Sequence, residues 1–281
     1  MKQPSAVFDD QCDPAFLHRS FPLLSAEGIA NLGTRKVAIA GCGGVGAGVA
    51  LTLARMGVGQ YHLSDPGRFD VPDINRQWGA THRTVGKLKT EVYEGMLRDI
   101  NPAAEIRTFS SGCTMDNCAE FLDGCHVLID CLDVSVALEL REKVHAEARA
   151  RNMFAAVGPM LGFGCAVVCS SPDGMDMKTW TDTFKRTKSS AEFPEILKKI
   201  YMPEHLDLIG KCVALGRVPS LAVAPTLAVS LIATECVLHL LDGIVPGSRK
   251  PVVLPRIMFF DLFRMSYYIL DAGMVLEKET K

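Results

Sequence analysis

The chain has 281 residues, of which 48% are hydrophobic and 22% are charged, and its formal net charge is -2. This size and composition fit one large α/β domain, or one domain with a modest insertion. The near balance of charge argues against nucleic acid as a partner, because nucleic-acid-binding domains carry a strong positive excess.

Ten cysteines are spread along the sequence, and several of them fall inside apolar runs. The polar, acidic residues 1–13 have none of the features of a signal peptide. We therefore predict reduced thiols in a cytoplasmic protein. No two cysteines have the C-x-x-C spacing, so no zinc site is expected.

Residues 1–34 are predicted to form a polar arm and then a helix over 25–32, with Ser25 as its N-cap and Gly33 at its end. A β-α-β unit follows. Its elements are a strand at 36–40, a helix at 44–56 and a strand at 61–65. Such a unit implies two parallel strands joined by a right-handed crossover.

Helices and strands keep alternating up to residue 157. The predicted helices cover 89–100, 115–122 (with Thr114 or Asp116 near its cap) and 135–151, and the predicted strands cover 105–109, 127–131 and 154–157. This alternation indicates an α/β fold with a doubly wound, mostly parallel, Rossmann-like sheet.

Beyond residue 159 the pattern changes. A strand at 163–169 ends in a turn signal, and the lysine-rich residues 175–211 are interpreted as a mobile lid or crossover excursion, with a short helix at 192–200. The apolar stretch 221–241 is interpreted as a buried helix. A membrane span is disfavoured because its second half carries a carboxylate and an imidazole, which are costly in lipid.

Two strands close the chain and are expected to be antiparallel, at 256–260 and 266–270. The predicted organisation has four parts: an N-terminal arm and helix (1–34), a Rossmann-like nucleotide-binding core (35–174), a lid or crossover segment (175–218), and a C-terminal helix with closing strands (219–281).

A glycine-rich turn, G-C-G-G-V-G, joins the first predicted strand to its helix. Gly41 permits the tight turn, Gly43 and Gly44 let backbone N–H groups approach a phosphate, and Gly46 lets the helix pack on the strand. Asp65, at the end of the second strand, can accept hydrogen bonds from ribose hydroxyls. The alternative is a plain tight turn without a ligand. The motif indicates a nucleotide without choosing between NAD and ATP.

Three further segments favour ATP chemistry. Arg76 in the segment D-I-N-R-Q can clamp phosphate oxygens with its planar guanidinium group. Lys89 ends the segment G-K-L-K and supplies a point charge, and Asp133 ends D-C-L-D and can hold Mg²⁺. Adenylation expels pyrophosphate and needs such groups, whereas hydride transfer does not. Taken singly, each residue could instead be a solvated surface charge or a helix cap.

In their order and spacing these motifs resemble the ubiquitin-activating-enzyme-like superfamily, which includes the ThiF, MoeB and HesA proteins, from about residue 19 to residue 173. The resemblance implies an ATP- and Mg²⁺-dependent adenylyltransferase. The roles it implies are ribose binding for Asp65, phosphate contacts for Arg76 and Lys89, nucleotide binding for Asn75, and metal binding for Asp133. It also implies a homodimer with shared active sites, in which Arg19 reaches the ATP of the neighbouring subunit.

Two positions depart from the pattern of that superfamily. Its members usually have D-x-D after the second strand, whereas here Asp65 is followed by Pro66 and Gly67. They usually have asparagine where this chain has Asp73. A negative charge beside a triphosphate is unfavourable unless a metal or a proton compensates it.

Cys212 is a candidate nucleophile for a later transfer step, because several members form a thioester or persulfide at a corresponding cysteine. Lys211 beside it would favour the thiolate. The alternative is a half-buried structural thiol, which is the usual state of a free cysteine.

The sequence therefore predicts adenylation of a carboxylate, on a protein, a peptide or a small acid, followed by acyl transfer to a nucleophile. Sulfur-carrier activation, peptide natural-product maturation and a tRNA base stay open as acceptor chemistries. Two alternatives stand beside this prediction. An NAD(P)-dependent oxidoreductase would leave Arg76, Lys89 and Asp133 without a shared purpose, and a non-catalytic subunit that keeps the fold is favoured by Gly67 and Asp73.

Overall fold

The computed structural model describes residues 14–133, 136–179, 181–182, 198, 201–214 and 219–271. The helices are α1 (Phe21–Gly33), α2 (Gly46–Arg55), α3 (Lys89–Ile100), α4 (Cys118–Phe121), α5 (Leu138–Ala150), α6 (Pro203–Ala214) and α7 (Val223–Leu240). The strands are β1 (Lys36–Ala40), β2 (Gln60–Ser64), β3 (Glu105–Phe109), β4 (Val127–Asp130), β5 (Phe154–Val157), β6 (Met160–Leu161), β7 (Gly164–Ser170), β8 (Arg256–Asp261) and β9 (Ser266–Asp271).

One twisted sheet runs through the molecule in the order β3-β2-β1-β4-β5-β7-β8-β9, with β6 paired to β7. The strands from β3 to β5 are mutually parallel, and each later pairing is antiparallel. The prediction of a doubly wound sheet with antiparallel closing strands is therefore confirmed. Strand order reverses between β1 and β4, which is where open α/β sheets form their ligand crevice.

Local sequence explains the central strands. β1 and β4 are short apolar runs whose residues from Val37 to Ala40 and from Val127 to Asp130 are all buried, as expected for strands covered on both faces. α2 has buried residues around almost its whole circumference because it lies between the sheet and α7. The glycine turn that joins β1 to α2 is thus held by the best-packed part of the fold.

α7 is the one helix in the described ranges that is long and apolar enough to cross a membrane by length and composition. Of the residues in this helix 56% are buried, and the helix packs on α2, β5 and β7. Glu235 in its second half is only 1% exposed and forms an ion pair with Arg249. These contacts are those of a core helix, as predicted.

The N-terminal helix differs from the prediction. α1 begins at Phe21, four residues earlier than expected, and Ser25 interrupts it with a φ of 63°. The Ser25 hydroxyl accepts a hydrogen bond from the Gly28 N–H at 3.2 Å, so it caps the second part of a kinked helix. Gly33 is the last helical residue, and Thr34 forms the C-cap.

Two other helices also depart from prediction. α4 covers only Cys118–Phe121 because Thr114 and Asn117 exchange hydrogen bonds in a turn before it, so Asn117 is the N-cap, in place of Thr114 or Asp116. α6 was not predicted, because its residues were assigned to the lid or crossover segment, although Leu206, Ile209 and Val213 have the spacing of an apolar helical face. The predicted helix at 192–200, apart from residue 198, and half of the predicted lid segment 175–218 lie outside the described residues. The four-part division of the chain stays a prediction.

We expect Glu235→Ala to lower the free energy of unfolding by about 3 kcal/mol, since it leaves a buried N–H without its acceptor and a guanidinium without its partner. The Glu235 carboxylate accepts from the Val252 N–H at 2.8 Å and from Arg249. Urea unfolding measures the change. Thr234→Ala is the matched control, because Thr234 is the exposed neighbour on the same helix. An equal loss for both variants would contradict this role for Glu235.

Candidate nucleotide-binding site

The glycine turn is packed too tightly for side chains at two of its positions. Gly41 has a φ of 98°, and a Cβ atom there would lie 2.2 Å from the carbonyl oxygen of Cys131 at the end of β4. A Cβ atom on Gly46 would lie 2.0 Å from the carbonyl oxygen of Gly41. These distances are far below any real contact, so both positions require glycine. The turn therefore rests directly against the strand on the other side of the switch point.

The same turn contacts the N-R-Q segment at Gly44 and is open at Gly43. A Cβ atom on Gly44 would lie 2.8 Å from the carbonyl oxygen of Arg76, which places the N-R-Q segment against the turn. At Gly43 no atom lies within 4 Å of the corresponding position. This open face lies directly before the N-terminus of α2, where unpaired N–H groups and the helix dipole favour an anion.

Asp65 fastens the turn to the end of β2. One of its carboxylate oxygens accepts from the Cys42 N–H at 2.8 Å, and the other accepts from the Gly67 N–H at 2.7 Å. Each oxygen keeps a further lone pair, so ribose hydroxyls can still donate to this half-buried group. A Cβ atom on Gly67 would lie 2.9 Å from an Asp65 oxygen. The second carboxylate usual in the superfamily is absent at Gly67, and the backbone N–H of this residue holds the first.

Arg76 and Lys89 meet at Asp73, an arrangement that the sequence did not reveal. Arg76 Nη2 lies 3.4 Å from one Asp73 carboxylate oxygen, and Lys89 Nζ lies 3.5 Å from the other. Arg76 Nη1 also donates to the side-chain oxygen of Asn75 at 2.9 Å. The Asn75 amide in turn donates to the Ser220 carbonyl at 3.1 Å, which ties the N-R-Q segment to the chain entering α7.

Asp133 follows β4 on the other side of the turn, and it is exposed. Among the described residues no group of three His, Cys, Asp or Glu side chains could hold a metal ion. Mg²⁺ commonly takes one or two carboxylates and completes its shell with phosphates and water, so a single exposed aspartate fits that chemistry. The role of Asp133 in metal binding stays a prediction.

Behind Asp133 lies a buried network that sequence analysis missed. Asp130, 1% exposed, accepts from His145 Nε2 at 2.9 Å and faces Arg141 Nε at 3.1 Å. Burial alone would raise the pKa of the Asp130 carboxyl, but the hydrogen bond and charge of His145 and the charge of Arg141 outweigh it and bring the pKa below its ordinary value. Arg141 also donates to the Leu132 carbonyl at 2.6 Å, which fixes the chain that carries Asp133. Arg141 and His145 have the i, i+4 spacing that places two side chains on one face of a helix, and this was the sequence signal that could have revealed the network.

The cysteines nearest the turn are not activated. Burial raises the pKa of the Cys42 thiol well above its ordinary value, and the Asp65 charge adds to this effect. Burial also raises the pKa of Cys131. Cys212 lies half-buried within α6, in the part of the chain predicted to be a lid or crossover segment. Its candidate role as a nucleophile stays a prediction, as does that of Arg19, which is exposed just before α1.

A doubly wound sheet, a glycine turn at its switch point and an acid at the end of β2 define a Rossmann-like nucleotide-binding protein. The particular family is shown by a family model: the ThiF family model matches residues 17–275, and the chain belongs to that family. The resemblance seen in the sequence is thereby confirmed. Family membership gives no support to the oxidoreductase alternative.

Sequence relatives match a shorter stretch of the chain than the family model does. The chain is 36% identical over 111 residues to the tRNA threonylcarbamoyladenosine dehydratase of Bacillus subtilis (strain 168), covering 39% of this chain and 44% of that protein. It is 29% identical over 102 residues to the adenylyltransferase and sulfurtransferase UBA4 of Lodderomyces elongisporus, covering 36% of this chain and 22% of that protein. The chain thus spans less than half the length of these relatives.

Solved structures match nearly the whole chain at low identity. The crystal structure of PaaA has a TM-score of 0.67 at 20% identity and covers 96% of this chain and 87% of that one. The structure of Escherichia coli MccB with ATP has a TM-score of 0.66 at 16% identity and covers 96% of this chain and 74% of that one. These matches show that the fold is shared.

Gly41→Ala should lower the free energy of unfolding by about 2 kcal/mol or more, since it adds a clash to a left-handed backbone. Gly43→Ala is the matched control. It should leave stability within about 1 kcal/mol of wild type and weaken ATP binding, because its methyl group would occupy the open face. Thermal unfolding with and without ATP separates the two effects. Equal destabilisation by both substitutions would contradict the packing described.

Proposed function

We propose that this protein is an adenylyltransferase that activates a carboxylate with ATP. A carboxylate oxygen of the substrate attacks the α-phosphorus, the bond from that phosphorus to the bridging oxygen breaks, and pyrophosphate leaves with the electron pair. The acyl-adenylate then passes its acyl group to a nucleophile and releases AMP. The observation that carries this proposal is the glycine turn fixed between the N-R-Q segment and the end of β4, in a member of the ThiF family.

In this proposal the phosphates lie over the open face at Gly43 and the ribose hydroxyls donate to Asp65. Arg76 and Lys89 neutralise the negative charge that develops on the departing pyrophosphate. Asn75 orients Arg76 through their hydrogen bond of 2.9 Å. Asp133 would hold Mg²⁺, which supplies further neutralisation of the phosphate oxygens.

The substrate class we infer is a carboxylate on a protein or peptide, or a small acid. The names of similar proteins fit different acceptors: sulfur transfer for the UBA4 relative and a tRNA nucleoside for the dehydratase. A sulfur nucleophile or a group within a peptide agrees best with the net charge of -2. We place the protein in the cytoplasm, in line with its many buried free thiols.

A non-catalytic subunit that keeps the fold is the rival reading, and Gly67 and Asp73 are the residues that favour it. Gly67 removes one carboxylate from the ribose side, and Asp73 places a negative charge between the two proposed phosphate-binding cations. An active adenylyltransferase and a non-catalytic subunit would both bind ATP, but only the adenylyltransferase would exchange pyrophosphate. A pyrophosphate-exchange assay therefore distinguishes the two functions.

We expect carboxylate-dependent exchange of labelled pyrophosphate into ATP. Lys89→Ala should lower the exchange rate by about a hundredfold, the usual cost of removing one group that stabilises transition-state charge. Arg83→Ala is the control, because it removes an exposed positive charge from the segment that precedes α3. Cys212→Ser should leave exchange unchanged, since adenylation precedes any transfer to a thiol. ATP binding without exchange for every carboxylate class would contradict the proposal.

A homodimer with shared sites makes a separate prediction. If Arg19 serves the neighbouring subunit, Arg19→Ala and Lys89→Ala are each inactive alone, but co-expressed they form mixed dimers with one intact site. Random pairing would restore about a quarter of wild-type exchange. A mixture no more active than its components would place Arg19 outside the active site.

A further inference from the structure

Asp73 occupies the space between the two cations that the proposed reaction needs. It lies on the short 3-10 helix Val71–Asn75, and its two carboxylate oxygens face different partners. Arg76 Nη2 is 3.4 Å from one oxygen and Lys89 Nζ is 3.5 Å from the other. Only 13% of the Asp73 side chain is exposed, against 29% for Arg76 and 14% for Lys89. The ion pairs are therefore partly shielded from solvent and from salt.

Neutral donors hold the Asp73 carboxylate in place independently of the cations. The Gln77 side-chain amide donates to it at 2.6 Å, and Gln77 is buried. The Asp70 N–H donates to its second oxygen at 3.2 Å, as part of a capping box. Because these two bonds do not involve Arg76 or Lys89, the carboxylate stays where it is when the cations turn towards another anion.

Arg76, in contrast, is folded back on its own turn. Its guanidinium donates to the Pro72 carbonyl at 3.1 Å and to the Asn75 side chain at 2.9 Å, in addition to its contact with Asp73. Its backbone carbonyl is already fixed against the glycine turn at Gly44. The side chain can therefore exchange partners without any movement of the backbone that carries it.

We propose that Asp73 is an internal competitor of the nucleotide phosphates that sets the affinity of the site for ATP. It holds Arg76 and Lys89 while the site is empty, and binding exchanges its carboxylate for phosphate oxygens on the same two cations. The carboxylate remains nearby after this exchange and reduces the charge available to the phosphates from two positive charges to one. This inference rests on the proposed function, since it assigns Arg76 and Lys89 to phosphate.

The test compares Asp73→Asn with Asp70→Asn by calorimetric titration with ATP and with inorganic tripolyphosphate. Asp73 lies in the 3-10 helix and Asp70 is its N-cap, so each substitution removes one negative charge from the same short segment, and asparagine can replace aspartate as the N-cap at position 70. Asp73→Asn should bind both ligands about tenfold more tightly than wild type, because one shielded like charge has been removed. Asp70→Asn, which is exposed and does not face the two cations, should bind them with unchanged affinity.

The tighter binding of Asp73→Asn should also depend more steeply on salt, because two uncompensated cations then meet the phosphates. Unchanged or weaker binding by Asp73→Asn, with a wild-type unfolding temperature, would overturn the proposal and assign Asp73 a positioning role. Asp73→Ser provides a second neutral side chain should Asp73→Asn fail to fold, and the same result is expected for it. Absence of pyrophosphate exchange would remove the proposed function, whereas absence of tighter phosphate binding removes only the competitor role.

Discussion

The close contact between the glycine turn and the end of β4 is the constraint on which the rest of the site depends. The carbonyl oxygen of Cys131 fills the space that a side chain on Gly41 would need, at 2.2 Å from the position of its Cβ atom. This contact sets the first residues of α2 at the switch point of the sheet and leaves the face at Gly43 open. A rigid turn keeps its N–H groups oriented before a ligand arrives, which lowers the cost of binding an anion.

The buried and half-buried acidic groups around this turn are likewise held by specific partners. Asp65 is held by two backbone N–H groups, Asp73 by two cations and an amide, and Asp130 by an imidazole and a guanidinium. Each buried or half-buried carboxylate is thus paired, as burial requires. Asp133, which follows β4, is exposed to solvent. A carboxylate in that position can meet a hydrated cation with little loss of solvation.

Sequence reasoning succeeded where the signal was local. β1, β4 and β5 are short, mainly apolar runs, and the bounds of all five parallel strands agree with prediction to within one residue. The glycine turn followed from spacing alone. The kink at Ser25 and the pairing of Asp73 with Lys89 have no local signature, because each depends on packing or charge brought together by the fold. The chemical roles of Asp133 and Arg19 came from resemblance, and the geometry of one chain leaves them as predictions.

The most direct test of this account is a crystal structure of the protein with Mg²⁺ and a non-hydrolysable ATP analogue. We predict a triphosphate over the open face at Gly43, ribose hydroxyls bonded to Asp65, and Arg76 turned from Asp73 to the phosphates. A nucleotide bound elsewhere on the surface, or one that leaves the Arg76 contact with Asp73 intact, would contradict it.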